Sequence, residues 1–169
     1  MKRIIFIIAI AFCFCLNTQA QVFIGGKFSN STEHSLKYHL FSFCVGYQYN
    51  KLAWGLDYAF QNANRLYNGV YTIKREYAFD FSPFFRYHFY NNGKMSLFLL
   101  SEFTYTIHKN EKYHAIFCSP GIQYQLSKHC AVTANVGFIG YSDSYWYGFK
   151  DFGCSFELGS SSLSFYYVF

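Results

Sequence analysis

Seven ionisable side chains, Lys27, Asp57, Glu76, Asp80, Arg86, His88 and Glu102, sit in stretches where the alternate positions are largely aromatic or aliphatic. Charges of both signs enclosed together either pair off and seal a core or relay protons and ions through it. Simple hairpin counting across 62–70 sets Asp57 opposite Asp80, and counting across 91–93 sets Asp80 opposite Glu102. Three carboxylates at one level cannot all stay charged and unpaired in a low-dielectric interior. Lys27 and Arg86 are therefore expected to neutralise Asp57, Asp80 and Glu102, giving a plug of ion pairs rather than a conducting path.

Other residue types suggest other chemistry. Ser, His and an acid converging at one rim would suit acyl transfer or ester hydrolysis. His34 beside Ser35, His108, His114 and the run Ser142-Asp143-Ser144 supply those types from separate segments. In a chain with 6 His that is a weak signal, and these are expected to be ordinary solvated loop residues. Arg65, Lys74, Arg75, Lys109 and Lys112 gather near segment ends, where they could meet phosphates through charge-assisted hydrogen bonds. The plainer reading is that they keep a rim solvated. Cys44, Cys118, Cys130 and Cys154 lack CxxC spacing; they read as small apolar wall residues, with a disulfide left open. No phosphate-cradling glycine loop or metal-ligand spacing is found, so no cofactor and no metal are expected.

The elements that position these groups have period two. Phe41, Phe43, Val45, Tyr47 and Tyr49 alternate with Ser42, Cys44, Gly46 and Gln48. From Leu52 to Gln61 the alternation runs without a fault, the signature of a strand between two different environments. Comparable runs cover Val22–Ser29, Thr72–Phe89, Met95–His108, His114–Leu126, Cys130–Tyr141 and a last one from about Asp151 to Phe169. Tight turns at 50–51, 91–93 and 127–129 alternate with longer polar connections; Asn91-Asn92-Gly93 is a strong hairpin signal. Pro83 and Pro120 fall mid-strand, where each removes a ladder hydrogen bond and should cause a local bulge. In the last run the apolar phase changes from even (Phe152, Cys154) to odd (Leu163 to Phe169), with a bulge expected near 159–162. Eight such strands predict an all-β fold, a closed eight-stranded antiparallel up-and-down transmembrane β-barrel.

Composition agrees. The chain has 22 Phe and 17 Tyr among 169 residues, 24% aromatic overall, at a mean hydropathy of only +0.04. A lipid-facing wall and its interfacial girdles have room for such rings. Residues 1–20 read as a Sec signal peptide cleaved before Gln21: Lys2 and Arg3, an apolar core from Ile4 to Leu16, then small residues Thr18 and Ala20. Losing it lowers the formal charge from +5 to +3, which is no nucleic-acid signature. Residues 21–169 form the barrel domain.

The alternation of Phe165, Tyr167 and Phe169 resembles the C-terminal strand of bacterial outer-membrane barrels, where such residues are the signal read by the barrel-assembly machinery. Phe81-Ser82-Pro83-Phe84-Phe85-Arg86-Tyr87 and Ser119-Pro120-Gly121-Ile122-Gln123-Tyr124 resemble the Ser-Pro-x-x-Arg-Tyr and Pro-Gly-x-x-Tyr strands of a related group. That group is the small outer-membrane β-barrel domain family of Bacteroidota, of the outer membrane protein X and outer membrane protein A membrane-domain type. The resemblance implies a monomeric, non-enzymatic protein of the Gram-negative outer membrane with a structural or surface-interaction role. Its partners would be outer-membrane lipid and lipopolysaccharide. The alternatives are a lipid A-modifying enzyme and a small-solute or hydrophobic-ligand channel.

Overall fold

A computed structural model describes residues 20–33, 36–66, 73–109, 111–144, 150–155 and 161–169, with side chains described except at 20, 30–33, 36–39, 61–66, 73–76 and 161. Ten strands follow in order: β1 (Ala20–Glu33), β2 (Leu36–Tyr49), β3 (Leu52–Leu66), β4 (Ile73–Asn91), β5 (Met95–His108), β6 (Glu111–Gln125), β7 (Cys130–Val136), β8 (Phe138–Ser142), β9 (Asp151–Ser155) and β10 (Ser161–Val168). β7 and β8 are two halves of one wall strand, as are β9 and β10. The wall therefore has eight strands. Every neighbour is antiparallel, and β1 pairs with β10 to close the cylinder.

Alternation decides which side chain goes where. Phe41, Phe43, Tyr58, Phe79, Phe81, Phe85 and Phe103 stand on the outer surface. Ser42, Asp57, Asp80, Arg86, His88, Thr106 and Thr133 are buried in the lumen. A water-soluble protein does the reverse. With apolar side chains outside and polar ones inside, the cylinder suits a surrounding that is itself apolar, and closure leaves no unpaired sheet edge within it.

Several expectations are corrected by the structure. β1, β2, β3 and β6 begin or end several residues beyond the alternating runs, so only two positions separate β1 from β2, where a longer polar loop was expected, and β5 from β6, where a short loop over 109–112 was. Asp57 faces Ser82, and Asp80 faces Ala59 and Thr106, while Glu102 faces Phe84. The three carboxylates thus do not share a level. The β3–β4 hairpin is centred further along the chain than counting assumed, and a register shift between His88 and Tyr90 displaces β5. No register shift accompanies Pro83. Opposite Pro120 the irregularity is carried by the neighbouring strand: Gly137, at φ 68°, divides β7 from β8, and the pairing of β6 passes from β7 to β8 between Gly121 and Cys118. In the last wall strand Phe152 and Cys154 are exposed, as are Leu163, Phe165 and Tyr167. The phase does change across the strand, although 156–160 lie outside the described residues.

Candidate functional site: the lumen and its two rims

Towards the tight turns, one layer of the lumen is packed with rings. Phe23, Phe84, Phe98 and Tyr166 point inward, each directly across from a glycine: Phe23 from Gly46, Phe84 from Gly55, Phe98 from Gly121, Tyr166 from Gly25. Each ring folds over its glycine. A Cβ there would lie 2.8 Å from Phe23 Cε1, 2.8 Å from Phe84 Cζ, 2.5 Å from Phe98 Cε2 and 2.5 Å from Tyr166 Cδ1 respectively, closer than two carbon atoms can pack. The absent side chains are what let four large rings share a narrow cylinder, a cross-strand device for covering strand glycines. Phe23 packs edge-on to Tyr166 at 5.3 Å.

Arg86 lies within this layer. Its guanidinium sits 4.6 Å from the Phe98 ring centroid and 5.0 Å from that of Tyr166, and donates to Tyr166 Oη (2.9 Å) and Gln123 Oε1 (3.4 Å). Among the described residues it forms no ion pair, contrary to the neutralising role expected for it. Planar guanidinium groups stack on rings and shed hydration more readily than ammonium groups. The two aromatic neighbours therefore supply what a carboxylate was expected to supply.

One level towards the loops, Lys27 Nζ stands between Asp57 Oδ2 (3.3 Å) and Glu102 Oε2 (3.0 Å). The three side chains are 12%, 8% and 14% exposed, so water screens them little. β1, β3 and β5 each contribute one member. Further up, Ser82 donates to Thr104 (3.1 Å) and Thr106 to Asp80 (2.5 Å), and His108 is buried above them. Cys44 is buried, and Cys118, Cys130 and Cys154 are also free thiols.

At the loop end the pairing of β2, β3 and β4 sets Arg65 opposite Lys74 and Arg75 opposite Asn64, with Asn64 also opposite Lys37. Lys37 was missed because the sequence places it in a polar connection rather than a strand. Lys109 and Lys112 are exposed at the β5–β6 hairpin; Lys112 faces Ile107, which faces Phe79, four positions short of Arg75. β4 pairs with β3 as far as Ile73 but with β5 only as far as Phe79.

The rim also joins His114 and Asp143. Asp143 Oδ2 lies 2.8 Å from His114 Nδ1, and Oδ1 accepts from the His114 backbone N–H at 2.9 Å. His114 is in a strand, as the run His114–Leu126 predicts, and it is exposed. Its partners are the outward rings Tyr105 and Phe103, at 5.1 and 6.2 Å. Ser142 is buried and bonded to Ser144 O at 2.7 Å. Among the described residues no serine hydroxyl hydrogen-bonds to the His114 imidazole. His34 lies outside the described residues, as do residues 1–19 of the expected leader. Phe165, Tyr167 and Phe169 stand outward on and just past β10.

The sequence matches no protein-family model and no curated protein. The fold does match a solved structure: Neisserial surface protein A superposes with a TM-score of 0.55 at 12% identity, covering 89% of this chain and 94% of that one. The likeness establishes a small closed barrel of the outer-membrane type.

Proposed function

We propose that this chain is an integral outer-membrane barrel, of the outer membrane protein X type found in Bacteroidota, that works as a structural and surface-interaction protein through its loop-side rim. Residues 1–20 would direct its export, and Phe165, Tyr167 and Phe169 would engage the assembly machinery. A lipid-spanning strand needs about 9–11 residues, whereas β3 has 15 and β4 has 19. The excess carries the strands past the apolar band on the loop side. The observation that carries the reading is the gathering of Lys37, Arg65, Lys74 and Arg75 at neighbouring register positions of β2, β3 and β4. Cations crowded in this way repel one another, and anions held among them remove the repulsion. Phosphates of lipopolysaccharide lie at that height in an outer membrane.

The test compares binding of lipopolysaccharide micelles by wild type and an Arg65→Gln/Lys74→Gln/Arg75→Gln variant at rising salt. Wild-type affinity should fall with ionic strength, and the variant should bind at least tenfold more weakly with a flatter salt dependence. Equal affinity in the two proteins, unaffected by salt, would refute the electrostatic rim. An enzyme reading would require a nucleophile beside His114. Lipid A mass spectra from cells with and without the gene are expected to have the same acyl composition; a change in acyl number would overturn the non-enzymatic reading.

A further inference from the structure

At the turn end the lumen opens into a cavity of about 490 Å³, within the roughly 300–1,000 Å³ of small-ligand sites. Carboxamides of Gln21, Gln48, Gln123 and Gln125 line its walls, with Lys94 and Lys128 from two different turns. None of the lining side chains is acidic. Behind the wall, Arg86 donates to Gln123 and His88 bonds to Ser96, both of which face the cavity. Arg86 and His88 are 3% and 2% exposed, and neither Arg86 Nε nor His88 Nε2 hydrogen-bonds to any described residue. The cavity thus has cations from the turns, a buried cation behind its wall, and amide walls between them.

The turns that carry the lysines are internally braced. Asn91 and Asn92 side chains accept from Gly93 N and Met95 N, both at 2.8 Å, and the Lys94 carbonyl accepts from Gln125 N at 2.7 Å. Across from them, Ser127 Oγ accepts from Cys130 N at 3.1 Å while Gln125 Nε2 donates to Ser127 O at 2.7 Å. Backbones fixed in this way need little further ordering when a ligand arrives.

We infer that this turn-end cavity binds a short peptide through its free terminal carboxylate. Two lysines supply charge-assisted hydrogen bonds to that carboxylate. Each glutamine offers both a donor and an acceptor, which matches the alternating N–H and C=O of a peptide backbone. A bare phosphate would use the lysines and the amide N–H groups but leave the amide carbonyls without a donor, and an acyl chain would find too little apolar lining. This site is separate from the loop-side rim and does not depend on what binds there.

The experiment follows backbone amide shifts of the full barrel in detergent micelles during titration with acetyl-trialanine, its C-terminal amide, and inorganic phosphate. The free acid should give saturable shifts centred on Gln123, Gln125 and the two lysine turns. The amide should bind at least tenfold more weakly, as should the free acid with a Lys94→Gln/Lys128→Gln variant, whose spectrum also reports its folding. Lys150→Gln, at the opposite end, should leave the titration unchanged. Equal binding of acid and amide, shifts reproduced by phosphate alone, or no saturable shift would each overturn the assignment. The acid–amide comparison needs no substitution, so a misfolded variant cannot obscure the answer.

Discussion

Replacing Lys27 by Met should be among the most damaging single changes in the lumen, because it strands two carboxylates that share one cation. Asp57 Oδ2 and Glu102 Oε2 lie 3.3 and 3.0 Å from Lys27 Nζ, so they are at most about 6.3 Å apart. At an effective dielectric near 20, two unit charges at that separation repel by at least about 2.6 kcal/mol. The lost attractions are larger in gross terms, but removing the lysine also removes its own desolvation cost. Breaking a buried pair at one partner typically costs about 3–5 kcal/mol; the repulsion calculated here is a lower bound just under that range. The assay is reversible urea unfolding from lipid vesicles, followed by tryptophan fluorescence and by the shift between folded and unfolded bands on gels. Lys27→Met should lose about 3–5 kcal/mol. A triple variant, Lys27→Met/Asp57→Asn/Glu102→Gln, has no stranded charge and should recover most of that loss. A single variant within about 1 kcal/mol of wild type would refute the electrostatic reasoning, as would a triple variant no better than the single one.

Gly46→Val should abolish or severely reduce the folded gel band, since its Cβ would meet the Phe23 ring; Phe23→Ala in the same chain should restore folding in part, and failure of that rescue would count against the ring-on-glycine layer. Arg86→Lys keeps the charge but loses the planar stack on Phe98 and Tyr166, and should cost about 1–2 kcal/mol by the same unfolding assay, whereas a neutral outcome would remove the role given to the aromatic neighbours. Planar-bilayer recordings of the wild-type barrel should show no steady single-channel current, because rings and an ion triad occupy successive levels of the lumen; a regular unitary conductance would contradict that packing.

The facing of side chains was legible in the sequence because it follows from two different environments on the two sides of a strand. Leu52–Gln61 shows this most clearly: the period holds wherever one face meets an apolar surrounding and the other the lumen. Beyond the apolar band that contrast ends. Lys37, Asn62 and Asn64 have nothing to alternate against, and the strands continue there by backbone pairing that hydropathy cannot report. Register was harder still. It depends on where a hairpin is centred and on one extra residue near Phe89, and a one-residue error changes every cross-strand partner. The sequence did contain a mark of that irregularity: Phe89 and Tyr90 are adjacent, large and both exposed, a break in period two.

The misreading of Arg86 has a related cause. Matching charge to charge leaves out the rings on the same inward face. Yet Gly25, Gly46, Gly55 and Gly121 all fall on inward positions of strands, where glycine weakens a sheet unless something packs against it. Phe23, Phe84, Phe98 and Tyr166 are the inward rings that answer them, and only the pairing of strands identifies which answers which. Once they are placed, the lumen is divided into an aromatic level that holds the guanidinium and an ionic level that holds Lys27. Both interactions proposed above accordingly lie at the ends of the cylinder, one at the loop-side rim and the other in the amide-lined cavity framed by two braced turns.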